Sequence, residues 1–155
     1  MSFRIRGLDP TPFQHLYGQS DADLALQGAR RMIVDAAPGF PDRIELRDGQ
    51  PGEAMLLLNF VHQPAPTAYR ASHAIFIREG ATAAAHFLDQ IPEVMAIRPI
   101  SLRAFDGADD MIDADLVAGE DLAAAIDAFF DNPNVNYLHA HYAKRGCFAA
   151  RIDRA

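Results

Sequence analysis

Residues 135–153 read VNYLHAHYAKRGCFAARID, two runs of alternating side chains around a short basic turn. Lys144-Arg145-Gly146 suits a three-residue hairpin loop whose glycine takes the left-handed conformation. Because side chains directly opposite each other share a face, this loop collects the apolar residues on one side of the hairpin. The predicted pairs are Ala143 with Cys147, Tyr142 with Phe148, Ala140 with Ala150 and Leu138 with Ile152.

The opposite face of this predicted hairpin is polar. It carries Tyr137, His139, His141, Cys147, Ala149, Arg151 and Asp153. In this register His139 lies opposite Arg151, and His141 lies diagonal to Cys147. The sequence therefore places two imidazoles, a guanidinium and the only thiol of the chain on one face of a sheet.

The rest of the chain predicts about eight strands, mostly antiparallel, with one main helix at residues 120–131 and several short helices. The main helix has apolar residues at helical spacing, and Asn132-Pro133 ends it. Residues 53–62 predict a central strand covered on both faces, with a buried Asn59. The other predicted strands are 3–8, 31–36, 43–47, 72–79, 98–106 and 111–117. The expected fold is α+β, a curved antiparallel sheet or partial barrel packed against the main helix.

The composition of the chain limits the classes of function that we expect. The 155 residues, half of them apolar, predict a single domain over 1–155. A formal charge of −7 argues against nucleic-acid binding. No secretory signal or membrane-spanning run is evident, and a lone cysteine favours a reducing compartment, so we expect a cytoplasmic protein. Nucleotide-binding loops, dinucleotide fingerprints and serine-hydrolase elbows are absent.

His139 and His141 form a His-x-His pair whose rings point the same way. Convergent neutral imidazoles suit a transition metal, which needs a third protein ligand. His62, His73 and the acids of residues 106–115 are the candidates, and His62 is our first choice. The alternative interpretation is a partly solvated polar face that holds no metal, and the sequence leaves both open.

Two further groups are candidates for chemistry. His139, His141 and Cys147 are candidate catalytic residues, since basic neighbours favour a thiolate and a nearby His would activate it. The second group surrounds a proline-rich loop, where a guanidinium can clamp a carboxylate or phosphate. The candidate ligand-binding residues are Arg70, Ser72 and His73 at this loop, together with Tyr137 and Arg151 on the polar face of the hairpin. The alternatives are a buried structural thiol and a core histidine that shares its face with Ile75 and Ile77.

Several motifs together resemble the bacterial family called domain of unknown function 1203, and the similarity covers essentially the whole chain. These motifs are Phe3-Arg4-Ile5, Gly39-Phe40-Pro41, Gly52, Tyr69-Arg70-Ala71-Ser72-His73-Ala74-Ile75-Phe76, Phe105 with Asp109-Asp110-Met111, and Arg145-Gly146-Cys147-Phe148. A Cys often follows the Phe-Pro pair in that family, where this chain has Asp42. The resemblance implies a bacterial, stand-alone domain but no activity and no catalytic residues.

Two functional hypotheses follow from the residues. The first is a small-molecule or anion site, enzymatic or not, built from the polar hairpin face and the loop from His62 to His73. The second is a non-catalytic interaction module whose acidic segment meets a basic partner or the basic termini of a second copy.

Overall fold

A computed structural model describes every residue from Met1 to Ala155 and shows an α+β fold, as the sequence predicts. Nine antiparallel strands form two sheets, and neither sheet closes into a barrel. The strands are β1 (Phe3–Arg6), β2 (Arg30–Ile33), β3 (Ala54–Gln63), β4 (Ala71–Arg78), β5 (His86–Leu88), β6 (Ile100–Phe105), β7 (Met111–Val117), β8 (Tyr137–Tyr142) and β9 (Cys147–Arg154). The helices are a 3-10 helix (Thr11–Leu16), α1 (Asp21–Leu26), α2 (Glu93–Ala96) and α3 (Leu122–Phe130), the last preceded by a 3-10 turn at Gly119–Asp121.

The first sheet has six strands in the order β5-β1-β9-β8-β6-β7. One of its faces is apolar and packs against α3, through Leu122, Ile126 and Phe130. These three residues are spaced four apart, so one stripe of the helix is buried. The main helix is thus confirmed, as is its packing on the sheet. No helix of the protein is both long and apolar enough to cross a bilayer.

The last hairpin is present, but its register near the turn differs from our prediction. Leu138 pairs with Ile152 and Ala140 with Ala150 as expected, whereas His141 pairs with Phe148 and Tyr142 with Cys147. The loop therefore has four residues, 143–146, and Ala149 is the extra residue of a β-bulge. Gly146 has the expected left-handed conformation, with φ of 76°. The bulge moves Phe148 to the histidine face and Cys147 to the apolar face.

The second sheet has the order β2-β3-β4, with the predicted central strand in its middle. Only one face of β3 is well covered, by the 3-10 helix and α1, and Asn59 is exposed. The prediction of a strand buried on both faces was therefore wrong. At the far end of β3, Phe60 reaches over the first sheet, where its ring lies 5.8 Å from that of Phe148.

Two other strand predictions need correction. Residues 43–47 form no strand, because Leu46 has a positive φ of 51° that breaks the extended backbone; Ile44 and Leu46 are nevertheless buried. In β7 we expected Ile112 and Leu116 to face inward, but both are exposed. The β7 strand is the edge of the first sheet, and no other layer covers it there.

Candidate functional site

Three histidines meet where the two sheets overlap. His139 and His141 lie two residues apart on β8, so both rings project from the same face. His62 comes from the end of β3, beside a bulge between Val61 and Gln63. The structure thus brings together the three residues that the sequence favoured as metal ligands.

The three imidazoles are close enough to act as one group. One ring nitrogen from each residue lies within 4.8 Å of the other two. Ring centroids are 4.8 Å apart for His62 and His141 and 6.1 Å apart for His62 and His139. The rings of these two pairs are nearly perpendicular and do not stack face to face. One nitrogen of each ring can therefore point towards a common centre.

Each ring also has a buried nitrogen without a hydrogen-bond partner. These atoms are Nδ1 of His62, Nδ1 of His139 and Nε2 of His141. In His141 the other nitrogen, Nδ1, donates to the carbonyl oxygen of Gly146 at 2.9 Å. That bond fixes the tautomer and leaves the lone pair of Nε2 directed into the protein, which is the usual arrangement of a ligating histidine.

Burial keeps all three rings neutral at physiological pH. Desolvation, with smaller contributions from Arg103 and His73, lowers the pKa of His62 to about 4. Desolvation is also the main cause for the other two rings, and lowers the pKa of His139 and of His141 to about 3. Neutral imidazole is the form that binds metals.

Aromatic rings enclose the cluster. Phe148 stacks on His62 with parallel planes at 5.4 Å and meets His139 and His141 edge-on. On the other side, the Phe105 ring lies 4.9 Å from that of His139. This apolar lining excludes water from the imidazoles and accounts for their desolvation.

A cavity of about 450 Å³ opens beside His62 and His139. Its wall includes a hydrogen-bonded chain in which Gln63 Nε2 donates to the Tyr137 hydroxyl at 2.8 Å, and this hydroxyl donates to Asp109 Oδ1 at 2.7 Å. Asp109 has a left-handed backbone, with φ of 64°, a conformation that Asp tolerates in turns. Burial raises the pKa of Tyr137 to about 12, so the hydroxyl keeps its proton.

Two arginines flank His139 across the sheet. Arg103 on β6 and Arg151 on β9 are its direct neighbours, so all three side chains lie on one face. The Arg151 guanidinium covers the Tyr137 ring at 3.8 Å and bonds to Asp153. Arg103 is half-buried, and its only hydrogen bond is from Nε to Ser101 Oγ at 3.2 Å.

Cys147 lies away from this cluster, and the predicted contact with His141 does not form. The thiol is buried and belongs to the apolar core of the first sheet. Its Sγ accepts a hydrogen bond of 3.1 Å from Nη2 of Arg43, a fully buried guanidinium that belongs to no motif recognisable in the sequence. Arg43 Nε also donates to the Phe148 carbonyl at 2.7 Å, which pins the bulged strand.

The remaining predicted ligand residues divide into two groups. Tyr137 and Arg151 line the cavity, and His73 is half-buried on the inner face of β4, opposite Phe60. Arg70 and Ser72 do not line it: the Arg70 guanidinium donates to the Pro64 carbonyl, and Ser72 is exposed on the outer face.

A larger hollow of about 650 Å³ lies elsewhere, near residues 46–53. Most of its charged groups neutralise each other, as in the Arg47–Glu53 pair at 2.7 Å and the Asp48–Arg98 pair at 2.6 Å. Glu93 in its wall forms no ion pair, but we favour the smaller cavity because that cavity adjoins two members of the histidine cluster.

Comparison with known proteins fixes the family. The family model described as "Protein of unknown function (DUF1203)" matches residues 39–154. The chain belongs to the DUF1203 family. The matched region includes all three histidines, Arg103 and the Gln63–Tyr137–Asp109 chain, so the site lies within the DUF1203 region. No curated protein and no solved structure matches the chain.

Proposed function

We propose that this DUF1203 protein binds one transition-metal ion through His62, His139 and His141, and that the ion acts on a small molecule in the adjoining cavity. Zn²⁺ suits this ligand set best, because three imidazoles with an open fourth position form a common catalytic zinc site. The observation that carries the proposal is that one ring nitrogen from each of the three histidines lies within 4.8 Å of the other two.

The unpaired nitrogens favour a metal over a purely structural cluster. A buried polar atom without a partner costs about 1–3 kcal/mol. Three such atoms on three adjacent rings have no acid or hydroxyl to bond in the protein. A single cation would use all three lone pairs at once, and the apolar lining would strengthen its attraction to them.

The geometry requires a modest adjustment on binding. Tetrahedral zinc with Zn–N bonds of about 2.0–2.1 Å holds its nitrogens about 3.3 Å apart. The widest separation in the cluster, 4.8 Å, would close by about 1.5 Å. Rotation of the histidine side chains would have to supply this movement.

A metal at this position would face the cavity and its polar wall. Zinc held by three histidines activates a bound water molecule or polarises a bound carbonyl group. The Asp109 carboxylate and the Tyr137 hydroxyl lie in the same wall, where the carboxylate would accept a proton and the hydroxyl would orient a substrate. We therefore infer a metal-dependent enzyme that acts on a small molecule.

The test is the metal content of tag-free protein by elemental mass spectrometry after incubation with one equivalent of Zn²⁺ and desalting. We expect close to one zinc per chain, reduced at least tenfold in His139→Gln and His141→Gln. His15→Gln and His86→Gln are matched controls, because both residues are exposed histidines outside the cluster.

Folding of each variant is checked by circular dichroism before metal is measured. Absence of zinc in the folded wild-type protein would overturn the proposal. So would zinc that stays in the folded His139→Gln and His141→Gln variants, because the ion would then be bound elsewhere.

A further inference from the structure

The residues around the histidines are more basic than the protein as a whole. At the level of His139, three neighbouring strands place Arg103, Arg151 and Arg6 on the histidine face. The chain carries a formal charge of −7, so this concentration of guanidinium groups is a local feature. Arg151 lines the cavity, whereas Arg103 lies outside its lining, on the other side of His139. Such a concentration of positive charge around the cluster raises the local concentration of anions.

Arg103, next to the cluster, has hydrogen-bond donors that no group of the protein accepts. It forms no ion pair, and neither Nη1 nor Nη2 has an acceptor in the protein. The group is nevertheless half-buried, and desolvation lowers its pKa. A guanidinium that gives up part of its hydration without a carboxylate partner is available to an incoming oxyanion.

Adding a metal makes the need for an anion stronger. Three neutral imidazoles leave the double charge of a zinc ion uncompensated, and the guanidinium opposite His139 adds a further positive charge. The nearest acids are already engaged, Asp153 with Arg151 and Asp109 with Tyr137. An exogenous anion is therefore the natural fourth ligand.

We infer that the small molecule carries an oxyanion head, a carboxylate or a phosphate, that bridges the metal ion and Arg103. The inference rests on the proposed metal site and adds the chemical class of its ligand. One oxygen of the head would occupy the open coordination position, and a second would accept hydrogen bonds from the free Nη groups.

The experiment uses the full chain loaded with Co²⁺, whose visible absorption reports on its ligands. Sodium acetate and inorganic phosphate are titrated separately, at constant ionic strength, into wild type, Arg103→Met and Arg103→Lys. Arg145→Met is the control, because that arginine is exposed on the loop of the same hairpin. Cobalt uptake and circular dichroism establish that each variant is folded and loaded.

We expect at least one anion to change the wild-type spectrum with saturation. Binding should weaken tenfold or more in Arg103→Met, recover in part in Arg103→Lys and stay unchanged in Arg145→Met. Cobalt uptake should not fall in Arg103→Met, because the variant removes a charge that repels the cation. A response to acetate alone identifies a carboxylate head, and a response to phosphate alone identifies a phosphate head.

Failure of the inference is separable from failure of the metal site. Cobalt uptake without any response to either anion, or with equal responses in wild type and Arg103→Met, would overturn the inference alone. Absence of cobalt uptake in wild type would overturn the metal site and, with it, the bridge to Arg103.

Discussion

Acid should destabilise the metal-free protein through the half-buried His62 and the buried His139 and His141. Their pKa values in the folded protein are about 4 for His62 and about 3 for His139 and His141. In the unfolded chain each returns to about 6.5. Between these values the unfolded state binds more protons, so the free energy of unfolding must decrease as the pH falls below 6.5.

The size of this effect follows from the same values. Each imidazole contributes about 1.4 kcal/mol for every pH unit below 6.5. At pH 5.5 the three together would lower the free energy of unfolding by about 4 kcal/mol, a large part of the roughly 5–15 kcal/mol typical of a domain.

The assay is urea unfolding in the presence of EDTA at pH 7.5 and pH 5.5, followed by circular dichroism. We expect a pronounced loss of stability in wild type, and a loss smaller by about a third in His139→Gln. His15→Gln should behave as wild type, because its histidine is exposed. Equal stability of wild type at the two pH values, or greater stability at pH 5.5, would refute the account of the buried imidazoles.

Two further predictions concern groups outside the site. The Tyr142 hydroxyl is buried without a partner, so Tyr142→Phe should raise the free energy of unfolding by about 1 kcal/mol; a clear loss of stability in urea unfolding would contradict this. Asp113 and Asp115 accept hydrogen bonds from the outward amides of Ala114 and Leu116 on the edge strand β7. Replacing both acids with Val should therefore cause concentration-dependent self-association in analytical ultracentrifugation, and a strictly monomeric variant would show that they do not protect the edge.

The sequence predicted the pairing in the part of the hairpin that is far from the turn. Polar and apolar side chains, such as His139 and Ala140, alternate there with a strict period of two. It could not predict the register near the turn. The bulge falls on Ala149, which lies between Phe148 and Ala150, and an alanine suits either face of a sheet. Alternation therefore continued through the bulge without a visible break, and Cys147 was assigned to the wrong side.

The sequence also could not predict which residues are buried on the edge strand of the first sheet and on the uncovered face of β3 in the second. Leu116 and Asn59 lie in regular alternating or apolar runs, and both are exposed. Alternation separates the two faces of a strand, but which face is covered depends on how far the neighbouring layer extends. That distance is set by packing between elements that are remote along the chain.

The cluster itself was only partly predictable. The His-x-His pair on β8 was visible because two residues of separation on a strand guarantee a shared face. His62 was one of several candidates for the third position, since only the packing of the second sheet on the first brings it near. Gln63 and Arg103 were missed, because neither belongs to a motif and both act through neighbours on other strands.

The origin of the three histidines has a mechanical consequence. Two of them belong to one sheet and the third to the other, so an ion held by all three would cross-link the two sheets. Occupancy of the metal site would then be detectable far from the ion. We expect slower amide exchange along β3 and greater resistance of the 64–70 loop to proteases. Amide exchange and proteolysis would therefore show whether the metal ion is bound, without any knowledge of the substrate.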